Sequence, residues 1–309
     1  MRGWWRERQG RGGRVSNVEG DGGQHRGPGV LAVVVHYRGA GATVRCMRAV
    51  QGQGWEGSLR GVVVNNAYPN GEGPWEVVRA EAEALGWEMI DAGNNTGFAG
   101  GSNLGISRAI ERGDGYVWLI NPDALAEPGA LGALAARMER DPRLGAVGSD
   151  LGGGPPGGRV SLWRGKAAEI GDGGDGKFEF VSGASVLLRL GAVSEVGMFD
   201  EALFLYWEDV ELCMRLRAAG WALAVERTSR VRHEGGGAVG RASPTQDYYA
   251  TRNPLLVVQK HMSWALPLAA VAVLGRVTIL KTARGEWSRL GASLRGWWDG
   301  VRGRGGRRD

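Results

Sequence analysis

A chain of 309 residues that is 43% hydrophobic and 23% charged can bury a substantial core and is globular in composition. Its formal charge of +5 sits at the ends, because residues 1–29 contribute +3 and residues 281–309 contribute +5, leaving residues 30–280 at −3. A mildly acidic body argues against nucleic acid as a partner, and the basic tails suit anionic lipid or solubility. Residues 1–29, rich in Gly and Arg, show no hydrophobic periodicity and read as a disordered tail. Cys46 and Cys213 lack CxxC spacing and read as buried reduced thiols. No charged-then-apolar leader opens the sequence, so a cytoplasmic body is expected. The longest apolar run, residues 264–275, is shorter than the ~20 residues that cross a bilayer.

Residues 30–37 (VLAVVVHY) form an apolar β run, and Val44, Met47 and Val50 then recur at helical spacing. A second strand is expected in residues 59–71, a helix closed by Gly86 over 75–86, and a short strand in 87–93. The glycine-rich NNTGFAGGSNLG (94–105) reads as a loop, followed by a helix through 106–113 and a strand, YVWLI, over 116–120. That strand does not alternate, so it should be buried on both faces. Strand alternating with helix predicts an α/β fold with a mostly parallel sheet.

A helix over 129–142 leads to a strand in 144–151, and the Gly/Pro-rich residues 152–177 read as an irregular loop. Residues 178–204 are expected as strand, helix and turn, residues 207–220 as a helix stopped by Gly220, and residues 221–237 as a strand ending at His233. Residues 30–247 thus make one domain, 248–283 a set of amphipathic carboxy-terminal helices, and 284–309 a basic Gly/Arg tail.

Three places carry chemistry. Pro122 ends the strand over 116–120, since it has no N–H for the ladder, and delivers Asp123 just past the carboxyl end, where open α/β sheets bind ligands. The glycines at 97, 100, 101 and 105 fail the GxGxxG spacing of a dinucleotide fold and follow the third strand instead of the first. A Gly-rich loop entering a helix can still cradle phosphate through its N–H groups, or it can serve tight packing. Glu208, Asp209 and Glu211 open a later helix, where they either complete a site with Asp123 and a hard cation or only complement the helix dipole. His233, at a strand end, is either structural or a further ligand.

In order and spacing, AVVVHY, VVVNNA, NNTGFAGGSNLGI, WLINPDALAEPGAL, GMFDEALFLYWEDVELCMRLRAAGW and VRHEGGG resemble the family 2 inverting glycosyltransferases, rhamnosyltransferase-like branch, over residues 30–255. The resemblance implies a GT-A fold, a nucleotide-diphosphate sugar linked to dTDP or UDP, Mg²⁺ or Mn²⁺, and a glycan or lipid-linked glycan acceptor. It implies metal ligation by Asp123, in the Asn121-Pro-Asp123 version of the DxD motif, and by His233. Asp209, in WED, would be the catalytic base. The donor nucleotide would meet His36, Tyr37, Asn65, Asn95, Gly97, Phe98, Gly100, Gly101, Asn103, Asn121 and Asp123, and the acceptor side would hold Gly183, Ala184, Trp207 and Glu208.

The chain departs from that pattern. Asn65-Asn66 stands where Asp-Asn is usual, Arg38 follows Tyr37 where Asn is common, and Asn121 replaces the first DxD acid, leaving fewer carboxylates for a metal. A sugar-nucleotide pyrophosphorylase is the rival enzyme, but its basic Gly-rich first loop is poorly matched by HYRGAGAT. A non-catalytic binding module would have no need of Asp209 or His233. Trp264, Trp287, Trp297 and Trp298, interleaved with Arg, suit either peripheral contact with the inner face of a plasma membrane or a protein surface.

Overall fold

The computed structural model describes residues 28–66, 75–152, 154–170, 178–233 and 243–308. The expected amino-terminal tail lies outside these residues, apart from Pro28 and Gly29. In chain order the first elements are β1 (Val30–His36), α1 (Ala40–Gln51), β2 (Leu59–Asn65), α2 (Trp75–Leu85), β3 (Glu88–Asp91), α3 (Gly97–Arg112) and β4 (Tyr116–Ile120). β5 (Ala124–Ala126), α4 (Ala130–Arg140), β6 (Leu144–Asp150), β7 (Gly157–Ser161), β8 (Lys166–Glu169), β9 (Phe180–Val181), β10 (Ser185–Arg189) and α5 (Leu190–Val196) follow. The chain continues with α6 (Glu208–Ala218), β11 (Ala222–His233), α7 (Pro244–His261), α8 (Leu266–Ala283) and α9 (Trp287–Val301).

The main sheet runs β3-β2-β1-β4-β10-β6-β11-β5. β1, β2, β3 and β4 are parallel, β10 lies antiparallel between β4 and β6, and β6 pairs parallel with β11. The two faces of β1 explain its unbroken apolar run. Val30, Ala32 and Val34 face Met47 of α1, Val78 of α2 and Leu134 of α4, whereas Leu31, Val33 and Val35 face Ile106 of α3, Val193 of α5 and Val210 of α6. Helices cover both faces, so neither face needs polar residues.

Four expectations change. The glycine-rich stretch is the first half of α3, not a loop. A Cβ on Gly101 would come within 2.6 Å of Val35 Cγ1, and one on Gly105 would overlap Val33, so these glycines let the helix sit directly on β1. Packing here overrides glycine's poor helix propensity. The irregular residues 152–177 contain the antiparallel β7–β8 hairpin, joined to β9 in a small second sheet; residues 171–177 lie outside the described ones.

The basic tail is the third change, because residues 287–301 form α9. Gly296 and Gly300 face α7, where a Cβ on Gly296 would run into the Tyr248 carbonyl and one on Gly300 would lie 2.8 Å from Arg252 O. Glycines four apart mark close helix contact here. Fourth, the apolar run is longer than the sequence suggested. Pro267 sits in the first turn of α8, where its missing N–H is no loss, and the helical stretch Ser263–Ala283 has 21 residues with mean hydropathy 1.7. By length and composition it could cross a membrane, yet only 22% of that window is buried.

Candidate active site

The carboxyl ends of β1, β2 and β4 open onto a pocket of about 700 Å³. β4 stops as Pro122 requires. Asn121 N donates to Ala184 O at 2.9 Å and Ala124 N donates back to Asn121 O at 3.0 Å, so the Asn-Pro-Asp turn places Asp123 on the pocket wall. The facing wall comes from Gly183 and Ala184, just before β10, and from Trp207, Glu208 and Asp209 at the start of α6. Gly183 N donates to Asp209 Oδ2 at 3.0 Å, and Val210 N donates to Oδ1 at 2.8 Å. The carboxylate is thereby fixed in orientation while still lining the cavity.

The approach to α6 is strained. Phe204, Tyr206 and Trp207 have φ of 53°, 69° and 73°, a region that disfavours side chains of this size. α7 holds them there. The Asn253 side-chain amide donates to Leu203 O, Leu205 O and Tyr206 O at 2.5, 2.8 and 2.7 Å. Arg252 donates to Ala202 O at 3.1 Å and to Gly306 O at 2.6 Å. Both side chains are fully buried. Sequence reading missed them, although a buried polar pair must find partners.

Four carboxylates, on Asp123, Glu169, Glu208 and Asp209, line the pocket, and no Lys or Arg does so among the described residues. Their protons reflect this crowding. Burial first, and the neighbouring Asp209 second, push the Glu208 carboxyl well above its ordinary range, and its Oε2 has no hydrogen-bond partner. Burial also raises Asp209, against the backbone N–H groups that favour its charged form. Glu169 on β8, another residue missed in the sequence, is raised by burial and by Asp209. Tyr206 is pushed up to about 12 by burial and then by Glu208 and Asp123. Positive potential does enter from α7, whose first turn places Thr245 and Gln246 on the wall.

The residues expected in the site divide into two groups. Tyr37, Asn95, Gly97, Phe98, Asn121, Asp123, Gly183, Ala184, Trp207, Glu208 and Asp209 all line the pocket. His36, Asn65, Gly100, Gly101 and Asn103 do not, and each has a structural task. His36 is buried with Nδ1 2.8 Å from Thr43 Oγ1, and burial lowers its pKa to about 4. Asn65 donates to Asp91 Oδ1 at 2.9 Å. A Cβ on Gly100 would meet Thr96 at 2.6 Å, so this glycine and Gly101 serve packing. Asn103 clasps Phe199 through both its N–H and its carbonyl, each at 3.0 Å.

Asn66, the neighbour of Asn65, is the residue of this pair on the pocket wall. It accepts from Thr96 N at 2.9 Å and Thr96 Oγ1 at 2.8 Å, and donates to Gly97 O at 2.9 Å, pinning the start of α3. His233 stands opposite Ala124 in the β11–β5 register, one residue from Asp123 along the chain.

Among known families, glycosyl transferase family 2 matches residues 32–196, more than half of the chain. The chain belongs to glycosyl transferase family 2. The N-acetylglucosaminyl-diphospho-decaprenol L-rhamnosyltransferase of Mycobacterium tuberculosis is 29% identical to it over 208 residues, covering 53% of this chain and 67% of the relative. A mannosyltransferase, PcManGT from Pyrobaculum calidifontis, solved with GDP-Man and Mn²⁺, matches this family 2 chain with a TM-score of 0.58 at 15% identity, covering 90% and 88% of the two chains. S. aureus TarS 1-349 gives 0.54 at 12% identity, covering 88% and 81%. At these identities the solved structures establish the GT-A fold, and the family establishes a glycosyltransferase.

Proposed function

We propose that this family 2 enzyme transfers a sugar, with inversion, from a dTDP- or UDP-linked donor to a hydroxyl of a lipid-linked glycan in bacterial surface-polysaccharide assembly. One observation carries the reading: Asp209, fixed by Gly183 N and raised by burial, shares a pocket with Asp123 at the end of β4. A carboxylate of raised basicity suits removal of the acceptor proton as the hydroxyl oxygen attacks the anomeric carbon. The oxygen-to-carbon bond forms as the bond to the diphosphate breaks, and a single displacement inverts the centre.

No three His, Cys, Asp or Glu side chains among the described residues are arranged to hold an ion by themselves. A pocket lined by carboxylates and lacking Lys or Arg among the described residues nevertheless needs positive charge to accept a diphosphate, so a hard cation would be shared between protein carboxylate and diphosphate oxygens. Asp123 would hold Mg²⁺ or Mn²⁺, with His233 as the further ligand, and a bound cation stabilises the negative charge of the leaving diphosphate. Asn95 and Tyr37 supply uncharged donors and acceptors for the nucleoside, and Asn66 holds the start of α3 in place beside them. Burial and the neighbouring Asp209 favour the neutral form of Glu208, which limits repulsion against Asp209. The rhamnosyltransferase relative, whose name specifies a diphospho-decaprenol acceptor, supports rhamnose and a polyprenyl-linked acceptor as the first pair to assay.

The test is a thermal-shift panel of dTDP, UDP, GDP and ADP, each with Mn²⁺, Mg²⁺ or chelator. Selective, metal-dependent stabilisation by dTDP or UDP, about 2.7 kcal/mol at roughly 100 times the Kd, is the expected result. A flat panel from folded protein would overturn the donor assignment and favour a non-catalytic module.

A further inference from the structure

α8 is predominantly apolar, with Arg276 and Lys281 its charged residues, a pattern that belongs in a core or in lipid, but only its inner face is covered. Ala269, Val273 and Val277 pack with Leu255 and Val258 of α7. The outer face presents Leu268, Val271 and Ile279, with Trp264 in the turn just before the helix, at successive spacings of four, three and eight from Trp264, and Trp264, Val271 and Ile279 are 74%, 72% and 69% exposed. No charged residue falls on that stripe. α9 also exposes Trp287, Leu294 and Trp298.

We propose that the outer face of α8 and α9 seats the enzyme on the surface of an anionic phospholipid bilayer, with α8 lying in the plane of the interface. Charge identifies the occupant. Residues 262–309 carry nine Lys/Arg against three acids, whereas residues 1–261 carry 29 against 30. Cations also sit beside the rim tryptophans: the Arg302 guanidinium lies 4.0 Å from the Trp298 ring centre, and that of Arg164 lies 4.5 Å from the ring of exposed Trp163. Indole rings bordered by cations match the headgroup boundary. A second copy of the chain docking face to face would set these cations against themselves.

α8 enters from one side only. Arg276, midway along it, donates to Arg164 O and Gly165 O at 3.2 and 3.0 Å, and a Cβ on Gly165 would lie 2.7 Å from Val273. These contacts tie α8 to the β7–β8 hairpin, and Ala167 and Glu169 of the same hairpin line the catalytic pocket. The bilayer seat and one pocket wall therefore share a rigid element. The seat stands on α8 and α9 alone, while its use in meeting a membrane-borne acceptor rests on the function proposed above.

The experiment is flotation of the full chain with phosphatidylglycerol/phosphatidylcholine vesicles and with phosphatidylcholine alone, for the native protein and for Leu268→Glu/Val271→Glu. Both substituted positions are exposed, so the fold is preserved, which the thermal midpoint and the nucleotide-induced shift will verify independently of lipid. The native protein should float with the anionic vesicles and be released by an alkaline carbonate wash, and the double variant should float roughly tenfold less. Native protein left unfloated, or equal flotation of the variant, overturns the seat. Resistance to carbonate would show a spanning helix instead, and a dimer in light scattering that the double variant dissociates would show a second copy on this face.

Discussion

Asp209 Oδ2 accepts a hydrogen bond from the backbone N–H of Gly183 at 3.0 Å, joining the start of α6 to the loop before β10. The base proposed for the reaction is thus held by main chain, and its aim does not depend on any other side chain. Asp209→Asn should preserve the fold and the nucleotide-induced thermal shift, its single amide oxygen keeping one of the two backbone N–H contacts. It should lower kcat by roughly 10²- to 10⁴-fold. Steady-state transfer assays alongside the thermal shift separate the two effects, and unchanged turnover would remove Asp209 from the mechanism.

Burial and Asp209 both disfavour the charged form of Glu208 and raise its carboxyl well above the ordinary range. A neutral isostere should therefore be tolerated. Glu208→Gln is expected to keep activity within about threefold of the native enzyme, a change of under ~1 kcal/mol. A large loss of turnover in Glu208→Gln with normal nucleotide binding would show that this proton moves during catalysis.

Asn253 supports the turn that leads into α6, whose first turn carries Asp209. Asn253→Ala would leave the carbonyls of Leu203, Leu205 and Tyr206 without this donor and release a backbone whose φ angles are strained. Roughly 1–3 kcal/mol of stability should be lost for a group buried unsatisfied, with kcat falling more than the affinity for nucleotide. Denaturant midpoints and transfer kinetics on the same preparation check both halves.

Two buried groups make stability rise with pH. His36 has its folded pKa lowered from 6.5 to about 4 by burial, so the unfolded chain binds a proton first, and stability present above pH 6.5 is lost as pH falls toward 4. Burial alone would raise Glu211, but its hydrogen bonds with His261, Arg215 and Lys260 and the charge of Arg215 hold it at about 2, against an ordinary 4.5. Its contribution is present above pH 4.5 and lost as pH falls toward 2. Each amounts to about 3 kcal/mol at most. Urea midpoints against pH should show both slopes, with Glu211→Gln flattening only the lower one.

Gly296 and Gly300 let α9 touch α7. Gly300→Ala would bring a Cβ to 2.8 Å from Arg252 O, and overpacking of this kind destabilises by roughly 1–3 kcal/mol. The thermal midpoint should drop by about 2–4 °C for each kcal/mol. A midpoint unchanged or raised would mean that the helix pair can part without loss.

The order of strands and helices through residues 30–150 was legible because it rests on local periodicity: β1 and β4 are apolar on both faces, and the helices between them repeat at three to four. Asp123 and Asp209 were legible for a related reason, since Pro122 ends one strand and acids open one helix by rules that act within a few residues. Glycine's role was not local. Gly101, Gly105, Gly296 and Gly300 read as loop or tail until their neighbours Val35, Val33, Tyr248 and Arg252 are in place, because a missing side chain signals either freedom or close approach and only the partner surface decides. The same holds for Asn253, which lies about fifty residues from the carbonyls it binds, and for Asn66 taking the place expected of Asn65. Sequence alone determined the strand ends and the residue types that reach them; the tertiary structure decided which of those side chains face the pocket, because burial and hydrogen-bond partners are properties of the surrounding chain.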